Sequence, residues 1–334
     1  MARLENLTAF GAAYFPSMSF DDRQLAVVVV GARFSLPSPG TYAETLEISD
    51  EQDSPPLADV YWGSPGESSL RYEGQAAPLR PGTDVYLNGR AWAPGAVPTS
   101  KSEVSLTLGS LHKRALVFGD RHWTMGVRAT PSTPRPFVSV PLVYERCFGG
   151  PTSLANPVGQ GLYASEREAL GKPLPNIERP DLPISSLSDV PPHAGFGPIA
   201  RHWSPRREYG GTYDDAWVES RAPLWPRDVD PRLMCGAPPS AVVQPHLVGG
   251  EQVQIHGVCP GGALCFPLPR LRLQTKFEFR RRVIRQGMTL DGVLFEIEEG
   301  WVTLYWRSAI VVDPDPFALH NIVLRELRSW ESTP

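Results

Sequence analysis

Little in this chain invites redox or covalent chemistry. Its four cysteines, Cys147, Cys235, Cys259 and Cys265, are too few and too scattered across 334 residues for a disulfide framework. No C-x-x-C pair is present to build a structural zinc site, and no Gly-x-Ser-x-Gly elbow presents a nucleophilic serine. A basic excess is missing too: 32 lysines and arginines against 36 aspartates and glutamates give a net charge of −4. That balance lacks the electrostatic footprint that nucleic acid demands. Long apolar runs are also absent. The most apolar stretch, Leu25 to Val30, is far too short to span a bilayer, and the opening Met1–Thr8 carries an acid and no continuous apolar core, unlike a signal peptide. The expectation is a reduced, cytoplasmic protein with no nucleic-acid or membrane partner, no cofactor and no metal.

Proline and glycine, by contrast, are plentiful. The 36 prolines and 30 glycines make up about a fifth of the chain, which excludes a helical bundle and favours short strands joined by turns. Hydrophobic content of 41% and charged content of 20% fit a globular chain with a sizeable core.

The strand signals fall in two blocks. Leu25–Leu36, rich in β-branched residues and bounded by Pro37 and Gly40, reads as a buried central strand, and residues 1–24 as a lead-in. Ala58–Trp62, Leu70–Glu73, Asp84–Trp92, Ser102–Leu108 and His112–Phe118 follow, the last two joined by the hairpin signal Gly109-Ser110. The second block holds Gln252–Val258, Ala263–Leu268, Leu271–Phe279, Val293–Glu298 and Trp301–Arg307, with Glu299-Gly300 as a hairpin turn between the last two. Leu319, Ile322, Val323 and Leu327 predict a terminal helix within 316–330. No fixed-period repeat is present, so a solenoid or propeller is not supported.

Between the blocks lies the irregular stretch from Pro141 to Gly211. Glycine, proline, asparagine and lone charges break it so often that no long element runs through it. Its aromatics, including Tyr144, Phe148, Phe196 and Trp203, carry more apolar surface than disordered segments do, so it is expected to be ordered. Two short helices are predicted: Ser165–Leu170, with Ser165 and Glu168 as a capping box and Gly171 as its stop, and Asp214–Arg221 with Asp214 as cap. The fold class is therefore mainly β: an antiparallel, sandwich-like scaffold with a long irregular central segment and a few short helices. Residues 1–140, 141–250 and 251–334 form its three parts, packed as one integrated domain.

Four chemical readings of the central segment compete with plain structural roles. Cys147 beside Arg146, with His193 or His202 as partner, has the residue types of an activated thiol; the alternative is a small buried hydrophobe at a strand end. Asp120, His122, His193 and His202 carry metal-ligating side chains but match no familiar spacing. Asn156-Pro157-Val158-Gly159-Gln160-Gly161 lacks the lysine and following helix of a phosphate loop, so its glycines are read as turn formers. Arg201, His202 and Trp203 with Arg206 and Arg207 combine cationic forks and an aromatic, the side chains that dominate interface hot spots, and Arg201, His202, Trp203, Arg206 and Arg146 are the expected partner contacts. Their structural alternative is that Arg201 and Arg206 pair with Glu145 or Glu178 and pin the loop. Asn156, Asn176, Glu145 and Glu178 are assigned to shaping the loop.

Ordered motifs along the chain carry a resemblance. They are Asn6-Leu7-Thr8, Val27–Val30 with Phe34, Ala58-Asp59, Ser69–Glu73, Arg80–Val85, Phe118–Arg121, Tyr144–Gly150, Asn156–Gly159, Leu174–Glu178 and Gly195–Ile199. Up to about Trp306 the chain resembles a bacterial domain-of-unknown-function family associated with type VI secretion clusters. The resemblance implies an adaptor or chaperone acting in the donor cytoplasm. Such a protein binds an effector through a PAAR-like or N-terminal docking region, and in some cases the spike protein, and helps load the effector onto the spike. It implies no catalytic residues. Two alternatives stand beside it: a hydrolase or lyase using Glu145, Asp120 or Glu178 as acid–base groups, and a structural component of the spike.

Overall fold

A computed structural model describes residues 2–328, 330 and 331. Strands dominate, and among the described residues the longest helix spans six residues, Asp215–Ser220. Three sheets carry the architecture, with several two-stranded ribbons beside them.

The largest sheet has six strands in the order Val242–Val243, Thr83–Asn88, Thr289–Glu296, Trp301–Val311, Gln24–Ser35 and Gly11–Met18. Its neighbours pair antiparallel except Thr83–Asn88 with Thr289–Glu296, which run parallel. The sheet thus interleaves strands from both ends of the sequence. Leu25 to Ala32 are all buried in Gln24–Ser35, which explains why that strand reads as a continuous apolar run rather than an alternation.

A five-stranded antiparallel sheet follows the order Ile177–Glu178, Leu111–Phe118, Lys101–Leu108, Gln252–His256 and Leu264–Pro267. The third sheet orders Arg3–Asn6, Leu319–Glu326, Leu273–Phe279 and Val283–Gly287, with Arg3–Asn6 parallel to its neighbour. Side chains from all three sheets, among them Val28, Leu106 and Phe277, join one apolar core. The mainly β, largely antiparallel class read from the sequence is what the chain adopts.

Both expected hairpins form: Lys101–Leu108 pairs with Leu111–Phe118, and Thr289–Glu296 with Trp301–Val311. Both expected helices form as well. Ser165 Oγ accepts from the Glu168 amide to cap Glu166–Ala169, and Asp214 accepts from the Trp217 amide to cap Asp215–Ser220.

Two expectations are corrected. The predicted terminal helix is the strand Leu319–Glu326, preceded by a single 3-10 turn at Pro316–Ala318; residue 329 of that prediction lies outside the described residues. Leu319, Ile322 and Leu324 are buried between Arg3–Asn6 and Leu273–Phe279, and a free sheet edge outweighs helical spacing there. The lead-in before Gln24 contains two strands, Arg3–Asn6 and Gly11–Met18, whose mixed sequences become regular only by pairing.

Candidate functional site

The central segment is held to the sheets by aromatic interlock and by polar bonds. Tyr144 anchors it. Its hydroxyl donates to Gly197 O at 2.9 Å, and Trp203 packs edge-on to its ring with centroids 5.6 Å apart. A Cβ on Gly195 would lie 2.3 Å from the Tyr144 ring, so only glycine lets the returning chain close over the tyrosine. Asn156 is fully buried, and its Nδ2 donates to Tyr144 O at 2.8 Å and Phe148 O at 3.1 Å. A Cβ on Gly159 would sit 2.3 Å from that same nitrogen. Asn156–Gly161 is therefore a loop wrapped on its own asparagine rather than a cradle for phosphate.

The other residues assigned to loop shape make similar ties. Asn176 Nδ2 donates to Phe118 O and Asp120 Oδ1, both at 3.1 Å, while its Oδ1 accepts from Arg146 at 3.1 Å. Glu178 is buried, ion-paired with Arg121, and accepts the Ile184 amide at 3.1 Å. Glu145 accepts the Ser69 amide at 2.7 Å and the Ser69 hydroxyl at 2.8 Å. The ion-pair partners expected for Arg201 and Arg206 are thus otherwise engaged.

Arg206 is tied elsewhere, in a buried charge cluster that sequence reading missed. Three arginines, Arg80, Arg206 and Arg307, meet three carboxylates, Glu73, Asp84 and Asp291, and none of the six is more than 4% exposed. Arg206 ion-pairs with Glu73 and donates to Leu233 O at 2.9 Å and Ile199 O at 2.8 Å. Arg80 reaches Glu73 at 3.1 Å, Asp84 at 3.4 Å and Gln75 Oε1 at 3.0 Å. Arg307 pairs with Asp291 at 2.6 Å and donates to the carbonyls of Gln75 and Ala77, both at 2.8 Å. Tyr86 bridges the acids, donating toward Glu73 at 2.7 Å and Asp84 at 2.8 Å.

The two linked acids are pushed in opposite directions. Burial works to raise the Glu73 pKa, but Arg206 and Arg80 outweigh it and hold the carboxyl below its usual range. Burial dominates at Asp84 and pushes it up to about 6, with Glu73 reinforcing the rise. Asp84 Oδ1 is also buried without a hydrogen-bond partner, which fits a carboxyl that holds its proton more readily than usual.

What the segment shows to the outside is narrower than its sequence promised. Arg201, His202 and Arg207 are exposed, and Leu154, whose carbonyl accepts the Ser204 amide at 2.8 Å, is 61% exposed. The His202 ring is fixed by the Trp203 indole N–H, which donates to its Nε2 at 3.0 Å. Trp203 itself is 2% exposed and Arg206 1%, so neither presents a side chain to a partner; the core claims the indole and Glu73 the guanidinium. Arg146 is partly exposed and lies within 3.4 Å of Asp120.

The catalytic readings find little geometry. Cys147 is fully buried and burial pushes its thiol up to about 12, which makes it the small core residue and not a nucleophile. Of the candidate acids, Glu178 is neutralised by Arg121, Asp120 faces Arg146, and Glu145 is occupied by Ser69. Among the described residues no group of three or more His, Cys, Asp or Glu is arranged to hold a metal ion, and no helix is long and apolar enough to cross a membrane.

A family model described as "Uncharacterized protein conserved in bacteria (DUF2169)" matches residues 21–307. No curated protein and no solved structure matches the chain.

Two substitutions probe the cluster. Glu73→Gln leaves Arg206 and Arg80 buried beside a neutral group, and is expected to lower unfolding free energy by about 3–5 kcal/mol in a denaturant titration. Asp84→Asn tests the pH response. Because the folded-state pKa of Asp84 lies above its usual 3.8, the folded protein binds the proton more tightly, and stability falls as pH rises from about 4 to about 6. Glu73 acts oppositely, its contribution being present above its usual 4.5 and lost at lower pH. Asp84→Asn is expected to remove the decline between pH 4.5 and 6, a change of at most about 2 kcal/mol, in parallel chemical melts across that window.

Proposed function

We propose, taking as premise that the chain belongs to the bacterial family DUF2169, that it is a non-enzymatic binding protein serving as an effector adaptor or chaperone in type VI secretion. The partner in this reading is an effector with a PAAR-like or N-terminal docking region, bound in the donor cytoplasm and passed to the spike. The secretion role rests on the motif resemblance, above all Tyr144–Gly150, Asn156–Gly159 and Gly195–Ile199.

The observation that carries the binding role is a rigidly backed, exposed face. Arg201, His202, Arg207 and Leu154 lie outside a segment whose inner side is bonded into the core through Arg206, Trp203 and Tyr144. A preorganised surface loses little conformational entropy on association, so its contacts convert into affinity more fully. The Arg201 and Arg207 guanidinium groups suit carboxylates or backbone carbonyls, and Leu154 supplies apolar area at the same place. A stable complex would bury on the order of 1,200–2,000 Å², far more than this face alone, so neighbouring surface takes part. The occupied carboxylates of Glu145, Asp120 and Glu178 weigh against the hydrolase alternative.

Co-purification with the effectors encoded beside it tests the role. The triple variant Leu154→Asp, Arg201→Glu, His202→Ala is expected to weaken capture at least tenfold while keeping the wild-type unfolding midpoint. Undiminished capture by that variant overturns the face assignment, and failure of the wild type to capture any neighbouring effector overturns the adaptor reading.

A further inference from the structure

Lysine is scarce in this chain: Lys101, Lys113, Lys172 and Lys276 are the only four. One of them is buried. The strand Leu111–Phe118 alternates, placing Leu111, Lys113, Ala115 and Val117 on its covered face, so Lys113 occupies a position where a hydrophobe is expected. It is 8% exposed.

The arginines of the core are matched by carboxylates, but Lys113 is not. Its ammonium donates to Ser240 Oγ at 2.8 Å and lies 5.4 Å from the centre of the Phe196 ring, and no carboxylate pairs with it among the described residues. Burial pushes its pKa down to about 8, with Arg179 adding to the fall and Cys147 opposing it. An unpaired buried charge is costly and is normally removed or matched.

Lys113 lines a cavity of about 290 Å³ together with His193, Ser240, Arg179, Asp181, His112 and Arg114. Two of these cations already have partners: Arg179 pairs with Asp181 and Arg114 with Glu103, each at 2.6 Å. His193 brings a second unmatched group, a buried Nδ1 without a hydrogen-bond partner. Its pKa is lowered to about 4 by burial and by Lys113, so the ring is neutral near pH 7 and has one N–H to donate. The cavity therefore gathers one uncompensated positive charge, one hydroxyl and one unpartnered ring nitrogen.

We propose that this cavity is a binding site for a small oxyanion, a phosphate or carboxylate group, with Lys113 supplying the charge and Ser240 and His193 the hydrogen bonds. The anion is the missing counter-charge of Lys113. It occupies a place distinct from the Arg201–His202 face, so the site stands whether or not that face binds a partner.

Calorimetric titration of the full chain with inorganic phosphate, and separately with acetate, against chloride at equal ionic strength tests this. Saturable binding of at least one anion with a dissociation constant of about 1 mM or tighter is expected. Side-chain NMR of the lysines should then show shifts at Lys113 and not at Lys101, Lys172 or Lys276. Lys113→Met should abolish binding, and Ser240→Ala, an exposed position outside the core, should weaken it about fivefold or more. Binding of phosphate alone assigns a phosphoryl ligand, and binding of acetate alone a carboxylate. Heats equal to chloride for both anions in the wild type overturn the proposal. So does undiminished binding in Lys113→Met or, should that variant fail to fold, in Ser240→Ala.

Discussion

Six charges inside a β core cannot be left to chance, and the rest of this molecule depends on how they are matched. Each guanidinium or carboxylate taken out of water carries a desolvation penalty of several kcal/mol, recovered only when partners sit at bonding distance. Here Glu73 receives both Arg206 and Arg80, and Asp291 receives Arg307. Such a cluster is a weak source of net stability, because well-packed hydrophobes would serve as well. What it does specify is position. Arg206 reaches Glu73 only if the chain from Gly195 onward crosses at one place, and Leu233, Ile199 and Met234 then offer their carbonyls to the same arginines.

The consequence is an irregular segment with a fixed outer face. Proline and glycine keep it from forming long helices or strands, so its backbone finds partners one bond at a time: Asn156 with Tyr144 and Phe148, Asn176 with Phe118, Tyr144 with Gly197. These ties leave Arg201, His202 and Leu154 on the surface, backed by packed aromatics. Lys113 is the contrasting case in the same molecule, a buried cation with a hydroxyl and a ring face in place of a carboxylate. Matched charges fix the scaffold here, and the unmatched one marks a place for a ligand.

Much of the scaffold was legible in the sequence because its signals are local. Period-two alternation, turn dipeptides and capping residues identified both hairpins and both short helices, and a continuous β-branched run identified the central strand. The terminal strand Leu319–Glu326 was misread because Leu319, Ile322 and Val323 also fit helical spacing, and only the free edges of neighbouring strands decide the matter. Long-range polar pairing was not legible at all. Glu73 and Arg206 are 133 residues apart, and nothing in either neighbourhood announces the other. Trp203 and Arg206 looked like surface contacts by residue type, since an aromatic beside arginines serves interfaces and cores alike. Lys113 could have been found: the alternation that defines its strand puts it on the covered face with Leu111 and Ala115.

The central claim is that the Glu73–Arg206 link holds the segment against the sheets, and native-state hydrogen exchange in an Arg206→Met variant tests it most directly. The amides of Ile199, Trp203 and Arg207, which donate to Gly236 O, Ala200 O and Trp203 O, report on the segment, and those of Val27 to Val30 report on the sheet. The account predicts that the first group loses protection by about a hundredfold or more while the second keeps its protection relative to global stability. Equal protection of Ile199, Trp203 and Arg207 in the variant and the wild type would contradict it.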